Sequence, residues 1–391
     1  MSSATATRVV VADDSGLMRR VVSSTLEHAG FTVVGAAKDG DEALALCERE
    51  RPDAMTLDLA MPGLDGIGVL RALRRQGDRA TPVVVVSAFS PAHGARAVDA
   101  LAEGAFDLVA KPAVGDGIDR FTAELSDKVR LAAASRRRAS GRAAAATAPR
   151  TRPGGTPGAS AAAGLGGTSR LERRAGAHAG TRRMVMIACS TGGPKALAEL
   201  VPALPAPLGA GTLIVQHMPP GFTNSLAARL DRASNLNVRE AAGGETLDPK
   251  VALLAPGGAH LRLSDTSRVV ALSDEPEIGG LRPRADLTIV DAAKAFGERM
   301  VLVVLTGMGK DGLEGAREVR RRGGRVLVEA ESTCTVYGMP RAVAEARLAH
   351  EILPLHELPA AIAAEAGESS PGGSDSLGTT RLAARPSGGA S

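Results

Sequence analysis

MVMIACSTGGPKALAELV, Met184 to Val201, opens with an apolar run that stops at Ser190-Thr191. It turns through Gly192-Gly193-Pro194 and resumes with helical periodicity. An apolar run bounded by Gly and Pro and followed by an amphipathic segment predicts a strand buried on both faces that feeds a helix, the repeating unit of a parallel α/β sheet. At such a junction the first helical amides are unpaired and the positive end of the helix dipole points at the strand end. Either an anion sits there or Ser190 reacts there.

The same pattern recurs in both directions. Downstream it appears as GTLIVQ (211–216), VALLAP (251–256), RMVLVVLT (299–306) and RVLVEA (325–330). Upstream it appears as RVVVADD (8–14), FTVVGAA (31–37), DAMTLDL (53–59), PVVVVSA (82–88) and AFDLVAK (105–111), each followed by a helical stretch, the last near Asp116 to Leu131. The expected fold class is α/β. Residues 1–133 form a doubly wound, flavodoxin-like unit, and residues 183–366 form a Rossmann-like, mostly parallel α/β hydrolase unit. Residues 134–182, rich in Ala, Arg, Gly and Pro without sustained apolar periodicity, read as a flexible linker, and 367–391 as a disordered tail.

Composition narrows the function classes. With one Tyr, six Phe and no Trp, the cores must be built from Val, Leu, Ile and Ala, and an aromatic platform for single-stranded nucleic acid is excluded. Residues 134–183 carry eleven Arg against one acid, Glu172, a charge of +10; the whole chain carries +4, so the remainder is −6. The basicity therefore belongs to the linker. Cys47, Cys189 and Cys334 lie too far apart in sequence for a disulfide framework or a zinc site. The N-terminus has no apolar secretion core, and no run approaches the roughly 20 apolar residues of a membrane span. These features point to a soluble protein of the reducing cytoplasm, with no insertion into the membrane.

In the first unit the strand ends carry Asp13 and Asp14, Asp58, Ser87 and Lys111, and a doubly wound sheet gathers such ends on one edge. Each alone is an ordinary strand-end polar residue; their joint occurrence is what carries the reading. Three carboxylates together call for a hard divalent cation, and oxygen ligands suit Mg²⁺. Asp58 is then the phosphoryl acceptor, with Lys111 neutralising phosphate charge and Ser87 donating to a phosphoryl oxygen.

In the second unit Ser190 has neither a G-x-x-x-x-G-K-[ST] nor a G-x-G-x-x-G context, which disfavours a phosphate or dinucleotide loop. As a nucleophile it needs a base and an orienting acid at neighbouring strand ends. His217 ends the next strand and is the favoured base; His260, past a Gly-Gly turn in an expected peripheral hairpin, is its rival. Asp311, in GMGKDG after RMVLVVLT, is the favoured orienting acid. Asp286, within a helix beside Asp291, is the alternative, with a surface or capping role expected. The amide of Met308 and those following Ser190 are candidate oxyanion donors. Cys189 should point away from Ser190 along the strand and pack as a small hydrophobe. Met218, Phe222, Tyr337 and Met339 line a substrate groove or belong to the core.

VVVADDSGLMRRVV, LDLAMPGLDGIGVL, VVVSAFS and LVAKP resemble the receiver domain of two-component response regulators. That resemblance implies phosphorylation of Asp58 by a histidine kinase, with Asp13, Asp14, Asp58 and the Ala60 carbonyl holding Mg²⁺. One position departs: where receivers commonly carry an aromatic switch, three residues before the lysine, this chain has Leu108. ACSTGGPKAL, VQHMPPGFTNSLAARLD, LAPGGAHLRL, RPRADLTIVDAA, VVLTGMGKDGLEGA and ESTCTVYGMPRA resemble the catalytic domain of the chemotaxis receptor methylesterases, the CheB family. This resemblance implies a serine hydrolase acting on glutamate methyl esters of chemoreceptor cytoplasmic domains, often also deamidating receptor glutamines. Its triad falls on Ser190, His217 and Asp311, and its oxyanion amide on Met308; the esterase chemistry needs no cofactor. It also implies that the unphosphorylated receiver covers the Ser190 cleft until phosphorylation loosens it. Cys189 departs from the Ala or Ser of many members, and the linker is longer and richer in Arg than usual.

Two other readings remain. In one the same hydrolase serves a receptor outside chemotaxis, since the motifs specify chemistry and not the receptor. A binding-only regulator using the Arg-rich linker on DNA is the other, but no helix-turn-helix follows the first unit, and specific nucleic-acid binding is not expected.

Overall fold

The computed structural model describes residues 6–77, 80–88, 91–112, 118–147, 182–266 and 268–367. The N-terminal unit runs β1 (Arg8–Ala12), α1 (Gly16–His28), β2 (Thr32–Ala37), α2 (Gly40–Glu50), β3 (Ala54–Leu57), α3 (Gly66–Arg74), β4 (Val83–Ser87), α4 (Pro91–Ala102), β5 (Asp107–Ala110) and α5 (Ile118–Thr147). Its strands form one parallel sheet in the order β2-β1-β3-β4-β5. The central strands are buried from end to end, which is why they read as unbroken Val and Leu runs. Side chains fix where three helices start: Ser15 Oγ accepts from Met18 N (3.4 Å), Asp39 Oδ1 from Glu42 N (2.9 Å) and Asp65 Oδ1 from Gly68 N (2.8 Å).

The C-terminal unit contains β6 (Met184–Cys189), α6 (Gly193–Leu200), β7 (Thr212–Gln216), α7 (Phe222–Ala233), β8 (Asn237–Glu240), β9 (Val251–Leu254), a hairpin of β10 (His260–Leu263) and β11 (Val270–Ser273), and α8 (Ala285–Phe296). It continues with β12 (Met300–Val304), α9 (Leu313–Arg321), β13 (Arg325–Glu329), α10 (Met339–Glu345), β14 (Glu351–Leu353) and α11 (Leu358–Ala366). Seven strands form a second parallel sheet, β14-β13-β12-β6-β7-β9-β8, with β6 at its centre. Here the helices that start beside the strand ends open on glycines at positive φ, Gly192 (79°), Gly221 (79°) and Gly312 (89°), with no side-chain cap. Their first amides turn back onto the preceding loops: Gly193 N donates to Ser190 O (2.7 Å), Phe222 N to Pro219 O (3.4 Å) and Leu313 N to Lys310 O (3.1 Å).

Three features differ from the sequence reading. The last helix of the first unit does not end near Leu131: α5 runs to Thr147, into the segment assigned to the linker. Ala and Arg are strong helix formers, and the extension is held by packing as well, since Ala132 and Ala133 are fully buried and Arg136 donates to Thr81 Oγ1 (3.1 Å) and to Pro52 O. The rest of that segment, 148–181, and the tail from 368 lie outside the described residues. The short strands β8 and β14 were not expected; at four and three residues they carry too little apolar pattern to be seen. Among the described residues no helix is long and apolar enough to cross a membrane.

The two units meet along α4 and α7. Gly94 makes this approach possible, because a Cβ there would lie 3.1 Å from Gly221 O and 3.2 Å from Ser225 Oγ. Buried residues of α4 (Ala97, Val98, Leu101) and of α7 (Phe222, Leu226, Leu230) belong to one apolar cluster. Ion pairs join the units at Arg229–Asp99 (2.5 Å) and Arg120–Glu277 (2.5 Å), and Val336 packs against the core cluster of the N-terminal unit that contains Phe121.

Candidate active site and phosphoacceptor pocket

β6 and β7 are adjacent and parallel, with Cys189 opposite Gln216. The next residue on each chain is Ser190 and His217, so the sheet register alone sets them side by side. Gln216, 2% exposed, locks this pair: its Nε2 donates to Ser190 O (3.0 Å) and to His217 O (2.9 Å), while its Oε1 lies 3.1 Å from Cys189 Sγ. Sequence reasoning passed over Gln216, although a buried amide at the end of an apolar strand was a usable signal. On the other flank β12 pairs with β6, and Ser190 N donates to Thr306 O (3.0 Å).

The loop after β12 delivers Asp311, which is 3% exposed. Its Oδ2 accepts from His217 Nε2 (2.8 Å) and from Ala285 N (2.7 Å); its Oδ1 accepts from Asp286 N (3.0 Å) and Gly312 N (3.0 Å). Burial alone would raise the pKa of this carboxyl, but the His217 bond and the amides of Asp286 and Ala285 outweigh it and hold Asp311 well below the usual carboxylate range. Asp311 is thus charged and aimed at the ring. Because Nε2 is taken by Asp311, the buried Nδ1, which has no hydrogen-bond partner, is the ring nitrogen left for Ser190. The Ser190 hydroxyl is half-buried and free of side-chain hydrogen bonds. Such contacts commonly tighten only when substrate is bound.

Gly307 brings the backbone of this loop against the candidate nucleophile. A Cβ on Gly307 would sit 2.9 Å from Ser190 Cβ and 3.1 Å from Ser190 N. Gly307 O is held by Gly338 N (3.1 Å) and Met339 N (2.9 Å), so the strand end is clamped; Met308, the next residue, is 41% exposed. Beneath it the buried Glu329 accepts from Thr306 N (2.8 Å), and burial raises its pKa.

The structure decides between readings that the sequence left open. Asp286 is not a surface residue: it is 8% exposed, and its Oδ1 accepts from Gly312 N (2.9 Å) and Gly315 N (2.8 Å), capping the start of α9 rather than its own helix. His260 does lie in a hairpin, but it is fully buried, 3.2 Å from Arg284 N through Nδ1 and 3.2 Å from Pro276 O through Nε2, away from Ser190. Met218, Phe222 and Met339 are core residues at 7%, 1% and 0% exposure; of the four groove candidates only Tyr337 reaches the surface in part. Cys189 is fully buried, and burial pushes its thiol far above the ordinary range, as expected of a packing residue.

At the edge of the first sheet, Asp13, Asp14 and Asp58 each offer a carboxylate oxygen, all within 4.8 Å of one another. Lys111 Nζ lies 2.8 Å from Asp13 Oδ2 and 2.8 Å from Asp58 Oδ2. Asp58 Oδ1 is held by Leu59 N (2.7 Å) and Ala60 N (3.4 Å), and Ser87 Oγ is buried with no partner. Burial raises the pKa of Asp13 despite the lysine. Leu108 is 1% exposed, part of the core. A residue the sequence reading did not single out, Arg96 on α4, reaches back to the loop after Asp58, donating to Leu59 O (3.2 Å) and Asp65 Oδ2 (2.6 Å).

A family model described as CheB methylesterase matches residues 185–362, and one described as response regulator receiver domain matches residues 9–120. A protein-glutamate methylesterase/protein-glutamine glutaminase of Symbiobacterium thermophilum is 44% identical over 366 residues, spanning 92% of this chain and 97% of that protein. Protein-glutamate methylesterase/protein-glutamine glutaminase 4 of Anaeromyxobacter dehalogenans is 40% identical over 364 residues, 92% of this chain and 95% of that one. The crystal structure of the Thermotoga maritima CheB methylesterase catalytic domain shares 42% identity and covers 46% of this chain and 97% of that one, with a TM-score of 0.45. The chain belongs to the CheB methylesterase family, with a response regulator receiver domain preceding the methylesterase domain.

Proposed function

We propose that this chain is a phosphorylation-activated protein-glutamate methylesterase that hydrolyses glutamate methyl esters on chemoreceptor cytoplasmic domains and deamidates receptor glutamines, serving chemotaxis adaptation. The observation that carries the reading is the line from Asp311 through His217 to the strand end of Ser190, with one imidazole nitrogen fixed by a charged acid and the other unpartnered.

Ser190 Oγ attacks the γ-ester carbonyl while His217 Nδ1 takes its proton, and the Met308 amide receives the developing oxyanion. His217 returns the proton to the departing methoxide, giving methanol and a glutamyl ester on Ser190. Water then attacks that ester with His217 again as base, releasing glutamate. With a glutamine substrate the leaving group is ammonia. Asp311 holds the ring and stabilises the imidazolium throughout.

A histidine kinase supplies the phosphoryl group to Asp58. The all-oxygen cluster of Asp13, Asp14 and Asp58 with the Ala60 carbonyl suits Mg²⁺, and the buried, unpartnered Ser87 Oγ stands ready for a phosphoryl oxygen. When bound, Mg²⁺ neutralises charge on the transferring group. Lys111 supplies the second positive charge, and its present bond to Asp58 is exchanged for one to the phosphoryl group. The receiver packs on α7 through α4, so loosening that contact opens the approach to Ser190.

The test is methanol release from a methyl-esterified receptor fragment, with and without a small phosphodonor and Mg²⁺. Release that requires Ser190 and rises with phosphodonor only when Asp58 is present supports both halves. Equal release by Ser190→Ala removes the triad; Ser190-dependent release indifferent to phosphodonor removes the switch.

A further inference from the structure

The start of α8 reaches the triad from a side that no strand end explains. The amides of Ala285 and Asp286 grip both oxygens of Asp311 (2.7 and 3.0 Å). Arg284, one residue earlier, spans two carboxylates, with Nη2 3.0 Å from Asp286 Oδ2 and Nε 3.3 Å from Asp311 Oδ1. Asp286 in turn caps the amides of Gly312 and Gly315, the residues that follow Asp311. The acid, the segment that carries it and the helix start that holds it are therefore one closed hydrogen-bonded ring.

We infer that Arg284 and Asp286 act as a pair of positioning residues for the hydrolase site, fixing the orientation of Asp311 and setting the net charge felt by His217. This inference rests on the triad reading above. Two buried carboxylates side by side repel each other, and the structure shows how that is managed. Burial and the charge of Asp311 raise the pKa of Asp286, while Arg284 lies between the two as their shared counter-ion. A pair kept solely to cap α9 would need neither the second carboxylate nor an arginine shared with Asp311. The other ionisable groups around Asp311 are His217 itself; His260 from the hairpin, whose Nδ1 lies 3.2 Å from Arg284 N; Lys310, exposed beside Asp311; and Glu314 in the first turn of α9, exposed.

The pair makes a signed prediction, because its members carry opposite charge. Asp286→Asn removes a negative charge beside His217, disfavours the imidazolium, and should move the acidic limb of the kcat/KM profile to lower pH. Arg284→Gln removes a positive charge and should move the same limb to higher pH. Each shift should be on the order of half to one pH unit. Both variants should also lower kcat by roughly 10–100-fold, the range a misplaced catalytic group costs, with KM little changed.

The experiment is the pH dependence of methanol release by the full chain and both variants, from a methyl-esterified receptor fragment with phosphodonor and Mg²⁺ present. Shifts of opposite sign support the inference. Two unshifted limbs, or two shifts of one sign, overturn it and leave a purely structural cap. If Asp286→Asn does not fold, the sign of the Arg284→Gln shift alone decides, since that side chain is one-fifth exposed and outside the core. Absence of Ser190-dependent release in the unmodified chain would instead overturn the triad reading on which the inference rests.

Discussion

His217 is bound to Asp311 through Nε2, at 2.8 Å, and not through Nδ1. That orientation follows from the approach of Asp311, which comes from the loop after β12 on the far side of Ser190. It assigns the proton-accepting role to Nδ1 in the proposed mechanism. Asp311→Asn keeps the shape but offers the ring an amide in place of a charge. It should lower kcat by about 10³–10⁴ with KM nearly constant, and His217→Ala and Ser190→Ala should cost as much or more. Steady-state methanol release measures all three; a loss of under tenfold in Asp311→Asn would exclude it as the orienting acid.

Gly307 leaves no room for a side chain beside Ser190, and a Cβ there would clash first with Met339 Sδ. Adding one methyl group there places carbon 2.9 Å from Ser190 Cβ, so the strand end and the Met308 amide must move apart. Gly307→Ala should keep the fold but reduce kcat at least about 10-fold through misplacement of the oxyanion donor. Comparing kcat with the melting temperature separates this from general destabilisation.

Arg229 and Asp99 bridge the two domains, with side chains 36% and 53% exposed. An exposed pair is worth at most about 1 kcal/mol, so Arg229→Ala or Asp99→Ala should raise release without phosphodonor by no more than about five-fold. Raising salt should have the same effect on the unmodified chain. An unchanged basal rate in both variants would mean that this contact does not restrain the hydrolase.

Leu108 provides no aromatic switch, yet Arg96 ties the loop after Asp58 to α4, and α4 bears on α7. Arg96→Ala should therefore still take up phosphoryl groups from a phosphodonor while losing most of the stimulation of methanol release. Labelling of Asp58 and ester hydrolysis, followed in parallel, separate the two steps. Full stimulation in the variant would rule out this route.

The three thiols are all raised by burial: Cys47 to about 11, Cys189 and Cys334 further. At pH 8 a thiol of that kind is about one part in 10³ thiolate. The native protein should resist iodoacetamide at pH 8, whereas the denatured chain should take up three equivalents, one for each cysteine. Rapid native labelling at Cys189 with loss of esterase activity would reopen that residue as the nucleophile.

Both sheets could be read from the sequence because each interior strand is an apolar run closed by Gly, Pro or a polar residue, and that pattern is local. The acidic cluster and the Ser190–His217 pair were legible for the same reason: in a parallel sheet, residues at the ends of neighbouring strands converge whatever else happens. Helix α5 was cut short because an Ala- and Arg-rich segment lacks an apolar stripe, although its propensity was on the page. Phe222 and Met339 could be read as groove or as core because periodicity says that a residue is near a strand end, not which way it faces.

The sequence by itself determined the alternating strands and helices of two α/β units and the residue types delivered to each edge, since these depend on spacing within a single strand–helix unit. Only the tertiary structure decided which nitrogen of His217 meets Asp311, that Gln216 ties Ser190 to His217, and that Arg284 and Asp286 close around the acid. Those contacts join segments 25 to 94 residues apart. Hydrogen bonds of 2.7–3.0 Å are set by how the elements cross, and no local period records a crossing.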